Sequence, residues 1–134
     1  MDWYKDGMYP EWHLSGTNFS PKKLQKLFPN LILSNSNENT DIAKKGRFKE
    51  REYGYGSTQI LVDETITNKF DWLLNFIIDN SKEIRNLGVE DEIIWIYWFG
   101  VQGNMEMNKE IIKKLALTNL DMAMNYIYID NENE

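Results

Sequence analysis

The hydrophobic pattern peaks at Ile93-Ile94-Trp95-Ile96-Tyr97-Trp98-Phe99, an unbroken apolar and aromatic run closed by Gly100. It is short for a buried helix and rich in β-branched and aromatic residues, so it predicts a strand covered on both faces, hence the central strand of a sheet. Alternation sends Ile93, Trp95, Tyr97 and Phe99 to one face and Ile94, Ile96 and Trp98 to the other. Helices ordinarily cover one face of a small sheet. The second face therefore calls for another layer, a partner or the protein's own long loop.

Elsewhere the pattern switches between strand and helix periods. Tyr9 to Ser15 alternates weakly before Gly16 and predicts a first strand, preceded by a loose arm over residues 1–8 that holds Trp3 and Tyr4. Ser20-Pro21 opens a short helix, with Ser20 as N-cap and Leu24, Leu27 and Phe28 as its buried stripe; Pro29-Asn30 stops it. Leu31-Ile32-Leu33 predicts a brief strand, and the polar residues 34–40 a loop. Tyr53-Gly54-Tyr55-Gly56 leads into a strand ending at Val62; with no phosphate-loop Lys and Ser behind them, the glycines point to a bulge or a close strand approach. Thr67 or Asn68 caps the longest helix, whose stripe is Phe70, Leu73, Leu74, Ile77, Ile84 and Leu87, with Trp72 and Phe76 on a flank, Asn80-Ser81 as a bend or break, and Gly88 as its stop. After a turn at Gly103-Asn104, Asn108 caps a helix with Ile111, Ile112, Leu115 and Ala116 inward. Asp121 to Asp130 is the last strand, with Met122, Met124, Tyr126 and Tyr128 on one face; residues 130–134 form an acidic tail.

Two segments share one design: an aromatic strand, a glycine, a polar turn and a short helix with lysines outside, at Trp12 to Phe28 and at Tyr97 to Ala116. With a longer helix between them, they predict a single α+β domain over 1–134: a ferredoxin-like two-layer sandwich, a mainly antiparallel sheet with helices on one face. A doubly wound parallel fold is the runner-up, and its phosphate-binding first turn is missing.

The order Gly16, Ser20-Pro21, Lys45-Gly46, Phe70-Asp71-Trp72-Leu73-Leu74, the aromatic strand, Gly103, Ile111-Ile112-Lys113-Lys114-Leu115 and Tyr126-Ile127-Tyr128 resembles bacterial domain-of-unknown-function family 4279, over roughly Glu11 to Ile129. The resemblance implies a compact α+β fold. It brings no activity and no catalytic residues.

Composition narrows the chemistry. The 134 residues suit one core, and the absence of cysteine removes disulfides, thiolate metal sites and thiol nucleophiles. His13 is the only histidine, which leaves no histidine-rich metal site and no histidine–cysteine relay; it reads as a core or edge residue beside Trp12. The acidic pairs at Asp63-Glu64 and Glu90-Asp91-Glu92 fall at element ends without a pocket signature. We therefore expect no enzyme activity, no metal and no cofactor. The start of the chain carries no basic-then-apolar signal and no apolar run reaches a membrane span, so the expected location is cytoplasmic.

A net charge of −6 disfavours nucleic acid and anionic membranes and favours a basic partner; the basic stretch Lys44 to Arg51 reads as a solvated loop. Small size, acidic balance and surplus aromatics predict a non-catalytic protein-binding domain, most concretely an immunity protein that neutralises a cognate basic toxin domain, a nuclease among the options. The expected contact residues are Glu90, Asp91, Tyr97, Trp98, Tyr126, Tyr128 and Asp130. A small-molecule or nucleic-acid module using an aromatic sheet face is the alternative, and a homodimer through that face is the rival use.

Overall fold

A computed structural model describes residues 8–46, 49–100 and 107–128. The elements run β1 (Met8–Gly16), α1 (Pro21–Leu27), β2 (Ile32–Asn37), β3 (Gly56–Leu61), α2 (Lys69–Arg85), β4 (Asp91–Gly100), α3 (Lys109–Thr118) and β5 (Met122–Tyr128). Met8, assigned above to the arm, already belongs to β1, and β2 continues through residues that read as loop. The rest of the arm, the Gly103-Asn104 turn and the acidic tail lie outside the described residues.

Local chemistry sets the helix ends. The Ser20 side chain accepts from Lys23 N at 3.3 Å and Asn108 Oδ1 from Ile111 N at 2.9 Å, each satisfying a donor the helix leaves open. Asn68 occupies the N-cap of α2 without a side-chain cap bond. Asn80 does not end α2; its amide donates to the Phe76 carbonyl at 3.0 Å, and the helix runs on to Arg85.

The fold is α+β: the described residues form three helices and one five-stranded mixed sheet in the order β2-β3-β1-β4-β5. β1 pairs antiparallel with β3 and β4, β2 antiparallel with β3, and β4 parallel with β5. The middle strand is thus β1, not β4, which corrects the assignment drawn from hydrophobicity. The even-numbered face of the sheet carries the core. Trp12, Leu14, Ile60, Ile94 and Ile96 are fully buried with Phe19, with Leu24 of α1, and with Phe70, Leu73, Leu74, Ile77 and Ile84 of α2; Ile111 and Leu115 of α3 pack against this cluster. The buried tryptophan is Trp12. Trp95 and Trp98, on opposite faces of a strand expected to be covered on both, are both half-buried.

At one end of the sheet the backbones crowd together. A Cβ on Gly56 would stand 1.8 Å from the Phe19 carbonyl oxygen, and one on Gly16 2.1 Å from that of Gly88. Gly16 and Gly56 are register partners and neither has room for a side chain; for Gly56 the close neighbour is the turn at Phe19, where a bulge or a close strand approach was expected. Here Arg85 closes the α2–β4 corner, its Nε and Nη2 on the Glu92 carboxylate at 2.6 and 3.0 Å in a fork that fits guanidinium to carboxylate.

Candidate functional site

The odd-numbered positions of the same strands make the opposite face of the sheet, and among the described residues no helix packs on it. Register places Tyr9 opposite Tyr97, Glu11 opposite Trp95 and His13 opposite Ile93. The rings form a stripe: His13 and Trp95 lie with centroids 6.0 Å apart, Trp95 and Tyr97 stack at 6.0 Å with planes 19° apart, and Tyr9 meets Phe99 edge-on at 5.6 Å. All five are half-buried, although among the described residues no helix lies over them. The ring-on-ring contacts account for part of that burial.

A carboxylate stands in the middle of this stripe. Glu11 Oε1 lies 2.8 Å from His13 Nε2, which anchors it beside the Trp95 and Tyr97 rings. Partial burial, and secondarily the Glu11 charge, push the Tyr97 hydroxyl above its usual pKa, so it stays a neutral hydrogen-bonding group at physiological pH. An aromatic surface with a central carboxylate suits a cationic side chain, which gains ring contact and an ion pair together.

Both ends of the face are acidic. A depression of about 420 Å³ beside Tyr9 and Glu11 is walled by Asp63 and Glu64, with Ile32 and Leu61 at its base; its one described cation, Lys69, is 6% exposed and lies 5.5 Å from the Tyr9 ring centroid. At the other end a groove of about 300 Å³ runs past His13 and Ser15 between Asn35, Ser57 and Gln59 on one side and Asp91 and Ile93 on the other. Gln59 Oε1 accepts from Asn35 Nδ2 at 2.9 Å and Ser34 Oγ at 3.1 Å, which fixes the amide at the groove wall.

The contact residues expected from sequence do not form one surface. Tyr97 belongs to the stripe and Asp91 to the groove. Glu90 sits just before β4, where its carboxylate accepts from the Thr17 backbone N–H and is held below its ordinary pKa by that bond. Trp98 and Tyr126 point to the other, helix-bearing face, and meet there with centroids 4.9 Å apart. Tyr128 is placed only as the last residue of β5, and Asp130 lies outside the described residues. The sequence reading missed Tyr9, Glu11 and Phe99, and took His13 for a core or edge residue. The signal was parity: these residues share the odd face with Tyr97 once the register of β1 on β4 is known. Among the described residues no three His, Asp or Glu side chains gather as a metal site would require, and no helix is long and apolar enough to cross a membrane. No family model, curated protein or solved structure matches the chain.

Proposed function

We propose that this is a non-catalytic protein-binding domain whose open sheet face receives a basic partner, and that the partner is a cognate toxin domain which it neutralises by direct binding in the bacterial cytoplasm. The observation that carries the reading is Glu11, fixed by His13 among Trp95 and Tyr97, on a face ended by Asp63, Glu64 and Asp91. Lysine and arginine side chains of a phosphate-handling active site fit such a surface by charge and by ring contact. Acidic borders also weigh against nucleic acid, whose phosphates would be repelled.

The fold reading that goes with it is a ferredoxin-like core, supported by the order β2-β3-β1-β4 with antiparallel neighbours throughout and a helix after β1 and after β3; α3 and β5 extend that core at one edge. The proposed kinship with family 4279 rests on the order of sequence motifs from Gly16 to Tyr126-Ile127-Tyr128. One observation favours a second reading: the groove between Gln59 and Asp91 has the size and the amide and hydroxyl lining of a site for a small polar ligand.

Co-purification with the products of adjacent genes, followed by calorimetry, tests the proposal. A one-to-one complex is expected, weakened about tenfold or more by Glu11→Gln and by Trp95→Ala, with the circular dichroism of both variants unchanged. No complex with any adjacent product, or a complex indifferent to both substitutions, rejects it.

A further inference from the structure

The two edges of the sheet differ. β2 carries a register irregularity between Ser34 and Asn37 and a left-handed Asn35 (φ 49°), features by which natural edges avoid pairing with a neighbour. β5 has none of them. Met122 to Tyr128 is seven residues long with no charge, no proline and no bulge. Of the nine large hydrophobic side chains exposed among the described residues, Ile112, Leu117, Met124, Tyr126 and Ile127 lie on α3 and β5. A chain with a net charge of −6 thus presents one uncharged, apolar edge.

The hydrogen-bond phase of β5 follows from its partner. Ile94 N donates to Asp121 O at 3.1 Å, and Ile94, Ile96 and Trp98 are the partners of Met122, Met124 and Tyr126. In a parallel ladder with that phase, residues 123, 125 and 127 turn their backbone groups toward β4, and 122, 124, 126 and 128 turn theirs outward.

We propose that β5 is a dimerisation edge, on which a second copy of this chain docks by antiparallel β5–β5 pairing with Asn125 on the two-fold axis. This register uses all seven residues and sets outward-facing residues opposite one another: Met124 exchanges both backbone bonds with Tyr126 of the second copy, and Met122 with Tyr128. Both side-chain faces then match, with a thioether against an aromatic ring on the helix side and Ala123 against Ile127 on the open side. No like charges meet along the strand. An isologous pairing of this kind closes on itself and yields one ten-stranded sheet. It leaves the face around Glu11 uncovered and does not rest on the function proposed above.

Solution mass and cross-linking decide the matter. The wild-type chain should sediment at twice its 15.9 kDa at high micromolar concentration. Met124→Pro removes an outward N–H and no bond to β4, a position where an edge strand tolerates proline, so it should keep the far-ultraviolet spectrum and associate at least about tenfold more weakly. Asn125→Cys adds the chain's single thiol at a non-hydrogen-bonded pair, where Cα atoms about 4.5 Å apart permit a disulfide. It should oxidise to a cross-linked dimer faster than Asn75→Cys, an exposed control on α2. A wild-type monomer, a folded Met124→Pro dimer as tight as wild type, or cross-linking of Asn125→Cys no faster than that of the control would each overturn the proposal. If Met124→Pro does not fold, the cross-linking comparison decides alone.

Discussion

Two residues show how position on the sheet decides the cost of losing a side chain. Trp12 is fully buried between β1 and the helices, edge-on to Phe76 at 6.4 Å, and its Nε1 has no hydrogen-bond partner among the described residues. Trp12→Ala should therefore cost about 3–5 kcal/mol in equilibrium denaturation, whereas Trp12→Phe gives up ring volume but also frees the fold of an unpaired donor and should cost far less. Trp95, half-buried on the open face, should lose less than half as much on truncation; an equal loss for Trp12→Ala and Trp95→Ala would mean that a layer covers the open face after all. Glu90 supplies a second residue-scale test. Its bond from Thr17 N–H lowers its folded-state pKa, so the unfolded chain binds the proton more readily. The resulting stability is fully present above the unfolded carboxylate range and is lost as pH falls through the folded pKa. Wild type should accordingly lose more stability than Glu90→Gln between neutral and strongly acidic pH, and parallel pH profiles for the two would show that the Thr17 bond contributes nothing.

Among the elements, the crowded end of the sheet is the least forgiving. Gly56→Ala places a methyl group inside contact distance of a backbone carbonyl, so β3 or the turn at Phe19 must move, and the expected destabilisation is about 3 kcal/mol or more by thermal or denaturant unfolding. A melting point within a degree or two of wild type would show that the turn is free to yield. That glycine was legible in the sequence, as were the helices, because capping residues and a stripe of period 3.6 are local signals. Strand order was not. The run from Ile93 to Phe99 is apolar on both faces, which ordinarily signals a central strand; here its odd residues are the rings of an open surface, and β4 lies one place off centre. β1 occupies the centre although its odd residues Glu11, His13 and Ser15 are polar, because alternation of polar and apolar positions reports which face is covered and not a strand's place in the sheet. For the same reason half of the candidate site was hidden: Tyr97 stands out by composition, but Glu11 joins it only through a register fixed by pairing between residues far apart in the chain. Trp98 and Tyr126, both among the expected contact residues, meet on the helix-bearing face rather than on the one that holds Tyr97.

For the whole molecule, the distribution of charge matters more than any single contact. In the function proposed here, a net charge of −6, with Asp63 and Glu64 at one end of the open face and Asp91 at the other, would attract a basic partner before contact and orient it toward the aromatic stripe. Long-range attraction of this kind is screened over about 8 Å at physiological ionic strength, whereas packing against Trp95 and Tyr97 is not. The association rate with the proposed basic partner should therefore fall about tenfold or more between low and high salt, while the dissociation rate changes little. Charge removal at the rim, by Asp63→Asn with Glu64→Gln, should reproduce the slow association at low salt. Trp95→Ala should act in the opposite manner, speeding dissociation and leaving association nearly unchanged. Stopped-flow mixing across a salt series separates the two effects, and an association rate that ignores both salt and the rim substitutions would remove electrostatic steering from the account of this face.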